Sequence, residues 1–357
     1  MSRSPFTTSY PVLIVVIVVG VVVTALSLQP VKPIMSNWPL LANNVVAPAL
    51  APREAEATAI PAAMLIMGVA QAQGVGQPAL EQYLASSELV EDAGEGRVRF
   101  FRRDIAGGAL DLLVVRLDER TEIAVVNADG ATPGSDEHGD TVWTDRQRHL
   151  RTVQEMANAP YAARANYELL GALAFGFHGE PRTANEGTVV IDSQVLRSNP
   201  GRGTLCITHE RRAEIGKLST EELARCAQAI GGGPALLWEN KIVNPDVAIA
   251  EGEFLPFNPL GEDFVQLDWR KKIYTGRYPK TAVGIGLLES GESYLVLAAS
   301  YDMLGIDLAR QLRDMGCYAA LGGDDDTSTQ MVWRGQLTRA RDVRAVPDAL
   351  GVYWARP

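Results

Sequence analysis

The sequence has few of the residues that build disulfide frameworks, metal sites or nucleic-acid-binding surfaces. Its 357 residues include three cysteines and four histidines, and no two cysteines are spaced as C-x-x-C. This excludes a structural zinc site and a cysteine-rich scaffold, and leaves room for one isolated bridge at most. Lysine and arginine total 33 against 43 aspartates and glutamates, which gives a formal net charge of −10. An acidic chain without a basic stripe is not expected to bind nucleic acid.

Charge is absent from a long apolar run near the start of the chain. Residues 12–28 read VLIVVIVVGVVVTALSL, and with their uncharged neighbours they reach the ~20 residues that cross a bilayer. We therefore predict a single-pass membrane protein with a transmembrane signal anchor at 12–28, a cytoplasmic tail at 1–11, and the body on the extracytoplasmic side. Cleavage is the alternative, because the apolar stretch 60–72 ends in Ala70-Gln71-Ala72, a tripeptide of the kind that signal peptidases cut.

The rest of the chain divides into a tether and a body. Residues 29–87 are rich in Pro, Ala and Asn at first and end in a candidate initial helix, and residues 88–357 form the predicted domain. Short apolar runs separated by turn residues predict an α+β fold with mixed or antiparallel sheets and packed helices. We expect one such helix to open at Ser219 with a capping box to Glu222 and to continue to Ile230. No G-x-G-x-x-G follows a strand, which disfavours a dinucleotide-binding fold.

Five short segments carry a resemblance that no single one of them would establish. They are Ala165-Asn166, Gly187–Leu196, Ala229–Leu237 (AIGGGPALL), Lys280–Gly284 (KTAVG) and Gly316–Met331 (GCYAALGGDDDTSTQM). Together, and in this order, they resemble the A-I-N-G-G-F, A-[IV]-G-G-G-P, R-T-A-[IV]-G and D-G-G-G-S-T-Q-M patterns of the phosphodiester glycosidase family, over residues 97–335. The resemblance implies hydrolysis of a sugar-1-phosphodiester or related glycoside, with a glycan or sugar-phosphate as ligand and no resident cofactor.

The resemblance also assigns candidate site residues. Asp324 and Glu168 are the expected catalytic carboxylates, without an assignment of acid and base, because glycoside cleavage uses a proton donor and a second group that activates water. Lys280 is expected to hold phosphate. The remaining expected substrate-binding residues are Asn166, Gly231, Gly232, Gly233, Thr281 and Ser328.

The sequence departs from the family pattern where the ligand is expected. Lys280 replaces an arginine, and Asp325, Asp326 and Thr327 replace glycines that would let a ligand approach the backbone. The added carboxylates are expected to repel an anionic diester, so three outcomes stay open: a less anionic substrate, a Ca²⁺ or Mg²⁺ ion bound at Asp325 and Asp326, or a non-catalytic carbohydrate- or envelope-binding domain on the same fold.

Overall fold

The computed structural model describes residues 76–128, 150–177, 186–264 and 267–356. The predicted tail at 1–11, membrane segment at 12–28 and most of the tether lie outside these residues. Within the described ranges, no helix combines the length and the apolar character needed to cross a bilayer.

The described part of the chain is built mainly of β-strands. In chain order these are β1 (Glu88–Asp92), β2 (Val98–Ile105), β3 (Gly108–Arg116), β4 (Thr121–Asn127), β5 (Tyr167–Ala174), β6 (Val189–Ile191), β7 (Gln194–Arg197), β8 (Gly203–Thr208), β9 (Ala213–Lys217), β10 (Cys226–Gly231), β11 (Ala235–Trp238), β12 (Lys241–Val243), β13 (Phe254–Leu255), β14 (Tyr278–Leu287), β15 (Ser293–Met303), β16 (Ala319–Asp325), β17 (Met331–Trp333), β18 (Gln336–Leu337) and β19 (Asp348–Ala355).

The strands form three sheets. The largest has nine strands in the order β1-β2-β3-β15-β14-β16-β11-β12-β13, and the two smaller ones run β7-β6-β10-β8-β9 and β18-β17-β5-β19-β4. The pairs are antiparallel except β12 with β13. The predicted antiparallel or mixed sheets are therefore present, whereas helices contribute less than an α+β fold implies.

Four α-helices occur in the described ranges, and three short 3₁₀ turns accompany them. The helices pack on the outer faces of the sheets. They are α1 (Gly76–Leu84), α2 (Val153–Ala157), α3 (Leu267–Thr275) and α4 (Gly305–Asp314), and the 3₁₀ turns are Pro160–Ala162, Glu222–Arg225 and Asp326–Ser328.

The apolar core lies on both faces of the nine-stranded sheet. One face meets the two smaller sheets, so that Leu113 and Val283 pack with Leu350 in one cluster. The other face is covered by α1 and α4, whose Leu80 and Leu308 join a second cluster. Because α1 packs into this core, the folded body includes residues before 88.

The helix expected at Ser219 is not formed. Ser219 and Glu222 do bond each other's backbone N–H groups, as a capping box requires, but only the 3₁₀ turn Glu222–Arg225 follows. The chain then becomes β10, which pairs with β6 and β8. Pairing with β6 and β8 therefore determines the structure here rather than the local capping box, and it buries the same apolar residues.

Candidate active site

Asp324 lies near the end of β16, where three elements meet. Its backbone N–H donates to the carbonyl of Phe175, just after β5, at 2.7 Å. Its carbonyl accepts a 2.7 Å hydrogen bond from Thr281 Oγ1 on β14. The carboxyl group is buried, with 2% of Asp324 exposed. The predicted residues Asp324 and Thr281 are therefore adjacent, and β5, β14 and β16 fix their positions.

Arg344 binds both Asp324 and the predicted residue Ser328. Its Nη2 lies 3.2 and 3.3 Å from the two carboxylate oxygens of Asp324, and its Nε donates to Ser328 Oγ. A guanidinium that spans two acceptors orients both of them. Arg344 thus ties the end of β16 to the segment that precedes β19.

Asp325 is a second carboxyl group next to the first. Burial, and then the charge of Asp324, raise the pKa of Asp325 to about 7, against the lowering effect of Arg270, Lys280 and Arg344. Tyr278 forms a side-chain hydrogen bond with it, and burial raises the pKa of the tyrosine. Burial therefore favours the protonated form of Asp325, which is the state that a general acid needs.

A cluster of arginines faces these carboxyl groups. Arg270 on α3 acts electrostatically on Asp324 and Asp325, and its guanidinium lies 3.9 Å from the ring centroid of Phe177. Arg270 and Arg202 each donate to Glu186 Oε2 at 2.8 Å. Burial, and then the charge of Arg202, lower the pKa of Arg270. The site therefore offers several guanidinium groups of the kind that bind phosphate.

The glycine segment next to this cluster contacts protein rather than open space. The N–H groups of Gly231, Gly232 and Gly233 donate to the carbonyls of residues 188, 203 and 322, at 2.6, 2.9 and 2.8 Å. An added Cβ on Gly232 would lie 2.5 Å from the carbonyl oxygen of Gly322. Arg202 donates to the Gly232 carbonyl at 3.0 Å. The three glycines are thus explained by close packing, and they position Arg202 instead of presenting N–H groups to a ligand.

Lys280 does not face Asp324 in the way that was expected. Lys280 is 1% exposed, and its Nζ donates to the carbonyls of Gly276, Tyr278 and Met303, each at 2.7 Å. Burial lowers the pKa of Lys280 to about 8, and Asp325 partly opposes this shift. All three ammonium hydrogens are in use, so Lys280 holds the backbone together rather than offering a free group to phosphate.

Glu168 and Asn166 lie away from the carboxyl pair. Asn166 has a φ of 65° in an exposed turn before β5, and Glu168 at the start of β5 is bound by Arg334. Six residues of extended strand lie between Glu168 and Phe175, whose carbonyl bonds Asp324, and this places them roughly 20 Å apart along the strand. The segment beside Asp324 is Ala172–Phe177 (ALAFGF), so the predicted residues Asn166 and Glu168 do not join Asp324.

The two predicted cation ligands, Asp325 and Asp326, have different surroundings. Asp325 is bonded by Tyr278, whereas Asp326 is exposed with a φ of 54°. Within the described ranges, no cluster of three or more His, Cys, Asp or Glu side chains is placed to hold a metal ion. Arginines lie among these carboxyl groups, because Arg344 binds Asp324 while Arg202 and Arg270 bind Glu186.

The sequence analysis did not identify Arg202, Arg270, Arg344 or Glu186 as site residues. They are dispersed in loops and on α3, and no motif of fixed spacing contains them, so only the fold brings them to one edge. Asp325 was noted as a departure from the family glycines, but its raised pKa depends on burial that the sequence does not display.

Comparison with known proteins agrees with this architecture. The chain is similar to the catalytic domain of zebrafish N-acetylglucosamine-1-phosphodiester alpha-N-acetylglucosaminidase, solved auto-inhibited by its pro-peptide, with 17% identity, a TM-score of 0.51, and coverage of 75% of this chain and 86% of that one. It is also similar to a hypothetical protein from Synechocystis, with 12% identity, a TM-score of 0.51, and coverage of 72% of this chain and 62%, less than two thirds, of that one. These likenesses concern the fold.

Family membership comes from the sequence itself. No curated protein matches the chain. The profile of the phosphodiester glycosidase family matches residues 168–353, which is more than half of the chain and includes β5, β14, β16 and the carboxyl pair. The protein is a member of the phosphodiester glycosidase family.

Proposed function

We propose that the protein is a hydrolase that cleaves a sugar-1-phosphodiester or a related glycoside at the Asp324–Asp325 pair. The observation that carries the proposal is the pairing of Asp324, held by Arg344, with Asp325, whose pKa of about 7 keeps a proton available. Membership of the phosphodiester glycosidase family supports the reaction class.

The residues suggest a division of roles. Asp325 donates its proton to the leaving oxygen as the bond from that oxygen to the anomeric carbon breaks. Water adds to the anomeric carbon and gives a proton to Asp324, so the sugar hydroxyl and the released phosphomonoester or alcohol account for all atoms. Arg270 and Arg202 bind the phosphate of a diester substrate, because guanidinium groups match its oxygens in pairs.

The test is sugar release from a panel of sugar-1-phosphodiesters by the full chain in detergent. Asp325→Asn keeps the size of the side chain and removes its proton donor, so we expect kcat to fall by about 100-fold or more. Asp326→Asn makes the same charge change at an exposed neighbour and is expected to stay within about 3-fold of wild type.

The outcomes separate the proposal from its alternatives. Equal activity of Asp325→Asn and wild type would remove Asp325 from the chemistry. An absence of sugar release across the panel would favour the non-catalytic binding domain. A cation at Asp325 and Asp326 is a further proposal, and activity that requires added Ca²⁺ or Mg²⁺ and is abolished by a chelator would support it.

We also propose that the body lies on the extracytoplasmic side, anchored by residues 12–28. A disulfide links Cys206 and Cys226, with their Cα atoms 5.6 Å apart, and such bonds persist in oxidising compartments. Protease added to intact cells, or to spheroplasts where an outer membrane exists, should digest the body. Complete protection of the body in both preparations would contradict this orientation.

A further inference from the structure

A polar cavity lies at the edge of the nine-stranded sheet, apart from the carboxyl pair. Its volume is about 560 Å³, within the range of small-ligand sites. Positive and negative side chains both line it, and a small exposed residue, Ala340, lies at its rim. The charged lining residues are Glu88, Arg102, Arg103, Asp104 and Arg339.

The strand register connects this cavity to the candidate active site. Arg102 on β2 pairs with Asp111 on β3, Asp111 with Ala299 on β15, and Ala299 with Thr281 on β14. Directly paired residues share one face of a sheet, so these four form a row from the cavity to the residue that bonds Asp324. Three inter-strand steps span about 14 Å.

The segment before β19 runs along the same path. Arg339 donates to Asp111 Oδ1 at 3.0 Å, Arg341 to the Asp326 carbonyl at 3.2 Å, and Arg344 to Asp324. The guanidinium groups of Arg339 and Arg341 lie 5.0 and 5.7 Å from the ring centroid of Tyr301. The segment before β19 therefore reaches the cavity through Arg339 and the carboxyl pair through Arg344.

The chemistry of the cavity favours a neutral, hydroxyl-rich ligand. The lining combines the donors of three arginines with the acceptors of Glu88 and Asp104 and the hydroxyl groups of Ser86 and Thr338. Because the lining carboxylates and guanidiniums nearly balance, they suit sugar hydroxyls, which both donate and accept, better than an ion.

We propose that this cavity is a second carbohydrate subsite, which holds further neutral sugar units of a long substrate while its reacting bond lies at Asp324 and Asp325. The inference rests on the proposed hydrolase function for its role in catalysis. A single sugar cannot reach both the cavity and the carboxyl pair, because about 14 Å separates Arg102 at the cavity from Thr281 beside Asp324. The preferred substrate is therefore an oligosaccharide or polysaccharide derivative rather than a monosaccharide diester.

Binding can be measured without turnover. The full chain in detergent is titrated calorimetrically with maltotriose, cellotriose and triacetylchitotriose. We expect at least one to bind, Ala340→Trp to weaken that binding at least 10-fold by filling the cavity, and Arg103→Gln to weaken it without adding volume. Ala250→Trp places the same ring at an exposed alanine outside the cavity lining and should bind as wild type does.

The results distinguish this inference from the proposed function. Trisaccharide binding that is lost in Ala340→Trp supports the subsite even if no diester is hydrolysed. Failure of all three sugars to bind, or binding that neither Ala340→Trp nor Arg103→Gln weakens, overturns the subsite even if the enzyme is active. Retained binding by Asp325→Asn would further separate the cavity from the catalytic step.

Discussion

At the scale of single residues, the hydrogen-bond partners of the β14 side chains decide which of them can meet a ligand. Thr281 donates to the Asp324 carbonyl, whereas Lys280, the cross-strand partner of Asp325, has its ammonium bound by three backbone carbonyls. The sequence predicted both residues in the site because it showed their proximity along the chain but not the partners that each side chain finds in the fold.

Lys280 should therefore matter for stability more than for ligand binding. Lys280→Met keeps the length of the side chain and leaves buried carbonyls without a donor, so we expect the free energy of unfolding to fall by at least about 2 kcal/mol. Urea denaturation measures this change. If Lys280→Met had wild-type stability but lost affinity for inorganic phosphate, the phosphate role first expected from the sequence would be restored.

The raised pKa of Asp325 predicts how stability depends on pH. The folded state holds the proton up to about pH 7, whereas an unfolded aspartate releases it near pH 4. The contribution of Asp325 is thus complete below about pH 4 and is lost as pH rises toward 7, by at most about 1.4 kcal/mol per pH unit. Urea curves at several pH values should show this decline in wild type relative to Asp325→Asn. Parallel pH dependence of the two proteins would contradict it.

At the scale of elements, a substitution at Gly232, just after β10, tests how closely the strands pack there. Gly232→Ala brings a methyl group against the Gly322 carbonyl and the Phe175 ring, so we expect a loss of about 2 kcal/mol or more. Gly216→Ala on β9 meets only Leu218, at 4.0 Å, and serves as the control. Equal stability of the two variants in thermal unfolding would show that the backbone yields at Gly232.

Elements with purely local signals were predicted better than those made by distant pairing. Glu239-Asn240 between two apolar runs predicts a hairpin, and the apolar spacing over residues 302–315 predicts an amphipathic helix. The hairpin of β11 and β12 does turn at these two residues, both with positive φ, and α4 covers Gly305–Asp314. The chain from Cys226 to Ile230 was predicted as helix because its apolar residues fit a helical period as well as a strand period. Only pairing with β6 and β8 selects the strand. Arg270 and Arg344 were not predicted for the same reason, because only the folded chain brings them next to Asp324 and Asp325.

At the scale of the whole molecule, the disulfide between β8 and β10 should set the response to reductant. Closing a loop of 20 residues contributes about 3 kcal/mol in the chain-entropy estimate. Dithiothreitol should lower the urea midpoint of wild type and leave the double variant Cys206→Ala/Cys226→Ala unchanged. A wild-type midpoint that does not move after confirmed reduction would contradict this contribution.

The position of β19 determines when the candidate site is assembled. This strand lies between β5 and β4, and Asp348 at its start accepts the N–H of Gly176, next to the residue whose carbonyl bonds Asp324. Because the chain is synthesised from its N-terminus, β5 cannot pair with β19 until some 180 further residues have been made. The candidate site therefore cannot be assembled before β19 has been synthesised, although most of its residues are made earlier.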